Sequence, residues 1–399
     1  MNRNLARTNI GYGIGRTCSG LATILLLALG AAVGSAAPII NPVTTPVNHG
    51  TTLTITGRNF GSKATPAPQR WETWETGEAG QSPNAVSSYW NDGDNSSVST
   101  GQNRHGYSTR SMKVEFPSSG GAYFFRNDSE LDKYYVNFWV RWRWVDDESN
   151  VPTGAIQYQI KFFRFDNEVK VTWHMAPTLP AFAAYYPSSG GAFVYWQPKV
   201  EGASCTGMVT VDAGKTWTDN LPTYGDPRLP AWLNYVVLVD QTDIESVQFR
   251  IYASEPDFSA PYELDTKNGV SFANLCAGHE GERFRDIKFG GNVESGGPEW
   301  PVTLYYDDIY IDNTWARVEI GDKATYDACT RREVQIPVAW SSTSVRVTVN
   351  QGSFENGEAA YLYVSDAAGN LNAQGTPVVF GGASLPPRAP SPVRVQTVD

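Results

Sequence analysis

PIINPVTTPVNHGTTLTITGRNFG, residues 38–61, reads as one half of a small β-domain. Leu53 and Ile55 alternate with Thr52, Thr54 and Thr56 at period two, and a glycine-rich turn ending at Gly61 closes the strand. The matching half lies at the far end, in residues 336–380. There Val345, Val347 and Val349 alternate with Arg346 and Thr348, and residues 361–364 supply the next strand. Neither half has enough strands to bury a face alone. The expectation is one small sandwich built from both chain ends, with the intervening chain inserted. A separate N-terminal hairpin and C-terminal sandwich is the plainer alternative, and it leaves both fragments short of partners.

Joined, the halves resemble an IPT/TIG domain, an immunoglobulin-like sandwich common in extracellular proteins. The resemblance rests on Pro38-Ile39-Ile40 with His49-Gly50, on Ile55-Thr56-Gly57-Arg58-Asn59-Phe60-Gly61, and on Trp340-Ser341-Ser342-Thr343-Ser344-Val345. It implies a first half over residues 37–65 and a second over 330–382.

Residues 1–36 read as a signal peptide. Arg3, Arg7 and Arg16 make a positive leader, residues 21–30 are apolar but short for a bilayer span, and Gly34-Ser35-Ala36 offers small residues for cleavage. Cys18 precedes the apolar run, so a lipid anchor is not expected. The expected product is soluble and secreted, extracellular or periplasmic, a monomer without membrane insertion. Losing three arginines with the leader moves the formal charge from −10 to −13. Such an acidic surface disfavours nucleic acid and anionic membrane as partners, and an anionic ligand then requires a local basic groove. Of the remaining cysteines, Cys205 and Cys276 can pair, leaving Cys329 free, though three candidates allow three pairings.

Residues 66–323 form one large domain. Strand signals recur at 111–116, 134–145, 155–165, 168–174, 192–197, 232–239, 247–252, 284–289 and 302–312, separated by turn-rich spacers, with no sustained helical period. The fold class expected is all-β: two large antiparallel sheets packed as a jelly roll, plus the small sandwich. Three consecutive strands each carry an apolar and a polar face. Val136, Phe138, Val140, Trp142 and Trp144 oppose Asn137, Trp139, Arg141 and Arg143. Ile156, Tyr158, Ile160 and Phe162 oppose Gln157, Gln159 and Lys161, and Val169, Val171 and Trp173 oppose Lys170, Thr172 and His174. If these strands are adjacent, the polar faces merge into one surface of amides, cations and a flat aromatic. Sugar hydroxyls take bidentate amide and guanidinium partners, pyranose faces stack on Trp or Tyr, and uronate carboxylates take Arg or Lys. Polar residues facing out of an antiparallel sheet are also often simply solvated. The 13% aromatic content favours a ligand face.

The large domain is similar to the concanavalin-like jelly-roll superfamily and, within it, to polysaccharide lyases of the alginate-lyase type. Arg141-Trp142-Arg143, then Gln159-Ile160-Lys161, then the closing strand Tyr305-Tyr306-Asp307-Asp308-Ile309-Tyr310-Ile311-Asp312 carry the likeness. Two positions depart from it: Lys161 stands where the family has histidine, and Asp307-Asp308 replace a lysine of the closing strand. The resemblance implies β-elimination at a uronate. Arg141, Gln159 and Lys161 would meet the carboxylate, Tyr195 would carry the proton with Tyr252 as second choice, and His174 would assist as base. Trp139, Arg143, Gln157, Lys170, Arg250 and Tyr252 would bind the chain.

A glycoside hydrolase needs two carboxylates across a cleft, and the candidate ligand strands lack such a pair. Ile309 and Ile311 place Asp307 on the inward side, tying the strand end to a loop. No cofactor is required; Glu75 and Asp308 are candidate ligands for a structural calcium, whereas Asn91-Asp92-Gly93-Asp94-Asn95 reads first as a turn. The proline-rich residues 383–399 read as a disordered tail. Two functions follow: a secreted enzyme cleaving an acidic polysaccharide by elimination, or a non-catalytic carbohydrate-binding or adhesive protein with the small sandwich as spacer.

Overall fold

The computed structural model describes residues 36–116, 121–127, 131–144, 159–160, 162–166, 171–175, 199–200, 232–254, 262–270, 283–294 and 302–381. The chain is all-β, with antiparallel strand pairing throughout its sheets.

The period-two pattern of Thr52–Arg58 finds its partner at the other end of the chain. Leu53 lies opposite Val347 and Ile55 opposite Val345. With Ile39–Ile40 and Ile336–Trp340 these strands make one four-stranded sheet, and Arg332–Val334, Arg317–Gly321, Ala359–Ser365 and Thr376–Val379 make a second. Leu53, Ile55 and Val345 from one sheet bury against Val318, Ile320 and Leu362 from the other. A further tie joins the ends: the Val47 amide donates to the Val379 carbonyl at 2.9 Å. Arg317–Gly321, placed with the large domain on sequence, belongs to this small sandwich, since it pairs with Ala359–Ser365 and its Val318 and Ile320 fill the same core. Cys329 is buried and free; Cys205 and Cys276 lie outside the described residues, as do 1–35 and the tail from 382.

The large sandwich has an eight-stranded sheet in the order Tyr262–Val270, Val247–Ser254, Trp232–Asp240, Lys133–Trp144, Val302–Asp312, Ser111–Phe116, Ser96–Ser99, with Arg70–Glu72 also on Val302–Asp312. Opposite it, a seven-stranded sheet runs Lys199–Val200, Val171–Met175, Phe163–Asp166, Asp286–Glu294, Gly121–Arg126, Asp92–Asp94, with Gln159–Ile160 paired to Asp286–Glu294. Asp92–Asp94 is therefore an edge strand where the sequence suggested a turn; pairing with Tyr123 to Phe125 supplies the hydrogen bonds that local preference does not. Between the layers Phe138 meets Phe289 edge-on at 5.2 Å, and Phe124 stacks on Phe289 at 5.0 Å. The Tyr306 hydroxyl crosses the core and donates to the Phe162 carbonyl at 2.6 Å.

Trp232–Asp240 shows why the two sandwiches are not independent. Leu233, Tyr235, Val237 and Val239 enter the interlayer core, while Val236 and Leu238 pack on the other side against Trp315 and Val334 of the small sandwich. A strand buried on both faces reads as an unbroken apolar run, as residues 235–239 do.

Ile55→Ala is expected to cost about 3 kcal/mol in denaturant unfolding, the range for truncating a fully buried aliphatic side chain. Combined with Val345→Ala, the loss should differ from the sum of the single losses by about 0.5 kcal/mol or more, because touching residues couple. Strict additivity would contradict the pairing of the chain ends.

Candidate functional site

Arg141 and Trp139 stand on the eight-stranded sheet, whereas Gln159 and His174 stand on the seven-stranded one. Arg141 therefore stands on a different layer from Gln159 and His174, and these strands are not all neighbours as the sequence suggested. The chain crosses to the other layer after Lys133–Trp144, whereas Phe163–Asp166 and Val171–Met175 are paired neighbours in one sheet. Tyr195, Lys161, Gln157 and Lys170 fall outside the described residues. Arg143 follows Arg141 on Lys133–Trp144, and Tyr252 lies opposite Val236 on Val247–Ser254.

Part of the outer face of the eight-stranded sheet is covered. Trp139 is only 7% exposed, clustered with Trp232 and Tyr305. Over its ring, 4.4 Å from the centroid, lies the guanidinium of Arg104. Arg104 is itself buried and bridges the two sandwiches. Nε donates to Asp308 Oδ2 at 2.8 Å, while Nη1 and Nη2 donate to Glu333 Oε1 and Oε2 at 2.9 and 2.8 Å. Gly352, at φ 55°, lies against the Glu333 carboxylate, where a side chain would strike it. His105 Nδ1 accepts the Tyr107 amide at 3.1 Å, which leaves the proton on Nε2 to be donated to Asp308 Oδ2 at 3.0 Å.

A β-bulge delivers Asp308 to this position. The register of Val302–Asp312 against Lys133–Trp144 shifts between Asp307 and Tyr310, and Asp308 adopts φ 47°. The bulge also overturns the inward placement expected for Asp307. Strict alternation from Ile309 puts it inside, but the extra residue resets the parity, and Asp307 sits opposite Trp139 on the outer side. There its Oδ2 accepts from Ser108 Oγ at 2.6 Å.

Burial and the adjacent Asp308 charge push the Asp307 carboxyl well above the usual carboxylate range. Burial pushes Asp308 the same way, but the Arg104 charge and the hydrogen bonds from Arg104 and His105 outweigh it and hold Asp308 below that range. The two adjacent buried carboxyls are thus shifted in opposite directions, Asp307 upward and Asp308 downward. The proposed calcium ligands are committed elsewhere. Asp308 is taken by Arg104 and His105, and Glu75 accepts the Thr109 and Arg110 amides at 2.7 and 2.9 Å.

The opposite face presents different chemistry. On the seven-stranded sheet Phe163, Phe165, Ile287 and Phe289 point inward, so Arg164 and Lys288 point out. Cross-strand register aligns His174, Arg164, Lys288 and Phe125 in one row. Lys288 Nζ lies 5.4 Å from the Phe125 ring and 5.9 Å from that of Tyr123, and the two rings are 5.6 Å apart. Arg164, Lys288, Tyr123 and Phe125 are half-buried, while Asp286, two positions from Lys288 on the same side, is 1% exposed and presents little charge to solvent. Arg164 and Lys288 were legible in sequence as single charges inside Phe-Arg-Phe and Ile-Lys-Phe alternations. Arg104 and His105, in an aperiodic loop, carried no such signal.

These features define an all-β protein of two sandwiches with one outer sheet bearing cations and aromatic rings. No family model matches the chain, and no curated protein matches it. Among solved structures it is similar to a cellulose-induced protein, Cip1, at 15% identity over 62% of this chain and 98% of that one, with TM-score 0.35. It is similar to a marine PL-14 alginate lyase from Aplysia kurodai at 13% identity over 55% and 87%, with TM-score 0.32. A third likeness is to a structure titled for botulinum neurotoxin type C cell entry through two ganglioside molecules, at 12% identity over 69% and 66%, TM-score 0.32. Likenesses this distant assign neither ligand nor reaction.

The upward shift of the Asp307 carboxyl has a measurable consequence. A carboxyl whose folded pKa is raised contributes stability that is full below its unfolded value, about 3.9, and is lost as pH rises toward the folded value. Asp307→Asn, a neutral near-isostere, should change stability at neutral pH by less than about 1 kcal/mol and flatten that decline. Asp308→Asn should cost about 3 kcal/mol, because Arg104 then loses a buried charged partner. Unfolding midpoints measured from pH 4 upward check both; equal large losses would show Asp307 to be ionised.

Proposed function

We propose that this is an exported protein that binds an acidic polysaccharide along the outer face of its seven-stranded sheet, with the small sandwich acting as a split IPT/TIG-type spacer domain. The observation that carries the reading is the row of His174, Arg164, Lys288 and Phe125 across successive strands, with Tyr123 beside Lys288. Cations at cross-strand spacing answer carboxylates repeated along a polymer, and the neighbouring rings offer apolar faces to the sugar C–H groups. The outer face of the other sheet is closed to a polymer where Trp139 lies beneath Arg104.

A lyase is the second reading, and the register of His174 opposite Arg164 favours it. An arginine that neutralises a uronate carboxylate acidifies the proton at C5, and histidine, here in register with Arg164 on the adjacent strand, is a residue type that can remove it. In that scheme Arg164 takes the part that the sequence suggested for Arg141.

Alginate and a neutral glucan, immobilised separately, test the binding. Alginate should retain the protein and the neutral glucan should not; Lys288→Ala and Phe125→Ala should each weaken retention by about tenfold. Equal retention on both polymers, or an unchanged Lys288→Ala, would remove the sheet face from the reading. Unsaturated uronate ends appearing in the alginate solution, and lost in His174→Asn, would make the protein a lyase; none appearing leaves it a binder.

A further inference from the structure

A second cationic site lies where the two sandwiches meet. A pocket of about 370 Å³ is lined by Val236, Leu238 and Arg250 from the eight-stranded sheet and by Trp315, Arg317, Tyr326, Asp327 and Arg332, among others, from the small sandwich. Its volume lies in the range of small-molecule sites, and it sits at a domain junction, where such sites concentrate.

Three guanidinium groups line it, and among the described residues only Arg317 is in a direct ion pair, although the Glu319 charge also acts on Arg332 at longer range. Arg317 donates to Glu319 Oε2 at 2.8 Å, to the Trp315 carbonyl at 3.0 Å and to the Tyr326 hydroxyl at 3.1 Å; that hydroxyl in turn donates to Glu319 Oε2 at 2.8 Å. The Glu319 carboxylate is thus committed to Arg317. Arg332 lies over the Tyr326 ring at 4.2 Å and Arg250 over the Trp315 ring at 5.7 Å, and among the described residues neither forms an ion pair with a carboxylate. Stacking on a ring fixes the plane of a guanidinium while leaving its N–H edge available. The Trp315 indole N–H is likewise buried without an acceptor. Asp327, exposed, is the one carboxylate in the lining. The wall is rich in donors and positive charge and poor in acceptors, a combination that favours a bound anion.

The geometry points to a binding site for a small organic carboxylate of sugar-acid size, held by Arg250 and Arg332 with its body against Trp315 and Tyr326. A guanidinium meets a carboxylate through two parallel hydrogen bonds, and two guanidiniums from different sandwiches can hold one carboxylate between them. This site is separate from the seven-stranded sheet, and polymer retention is read on Lys288→Ala, so either proposal can fail without the other.

Titration calorimetry of the whole protein with glucuronate, glucose and sulfate tests it. Glucuronate should bind, glucose should not, and sulfate should bind more weakly than glucuronate. Arg250→Gln and Arg332→Gln, each verified as folded by its thermal midpoint, should weaken glucuronate at least about tenfold, the loss of a charge-assisted hydrogen bond. Absence of glucuronate binding, equal binding of glucose, sulfate binding as tight as glucuronate, or unchanged affinity in both variants would each overturn the assignment.

Discussion

Arg104 is the group on which the rest of the arrangement depends. Taking a guanidinium and two carboxylates out of water is costly, and the cost is offset only when nearly every donor and acceptor is matched. Here the fork of Arg104 meets Asp308 on the large sandwich and Glu333 on the small one, while its flat face rests on Trp139. One side chain from an otherwise irregular loop therefore fixes two sandwiches to each other. The bulge at Asp308 exists to the same end, since a regular strand would point that carboxylate elsewhere.

Closing the junction decides which surfaces can act. The eight-stranded sheet loses much of its outer face to the small sandwich, which is why Val236, Leu238, Tyr135 and Tyr310 are buried although they point away from the interlayer core. The seven-stranded sheet keeps an outer face of half-buried cations and rings. Between the sandwiches the junction is imperfectly filled, and that gap is lined by arginines. Its charge is unbalanced because Glu319 is already engaged by Arg317.

Much of the strand pattern was legible. The alternations around Leu53, Val345, Phe138 and Phe289 report period-two burial, and each of these residues lies in one of the two main cores. The site was less so. Arg141 and Gln159 were grouped because their strands follow closely in sequence, but sequence order says nothing about which layer a strand joins. Asp307 was misplaced because one bulged residue inverts a parity argument, and nothing local announces a bulge. Arg104, His105 and Glu333 meet across separations of roughly two hundred residues or more, which no window of sequence can see.

What this sequence determined alone is the class of structure: alternating apolar positions, turn-rich spacers and the absence of a helical period require antiparallel sheets with one face buried. It also determined that Thr52–Arg58 needs a partner it does not carry nearby. The tertiary structure alone decided which sheet each strand enters, which outer face is covered, and where charge is left unbalanced. The physical reason is that alternation encodes only inside against outside for a strand, whereas layer, neighbour and the pairing of buried charges are set by contacts between distant segments once the cores have closed.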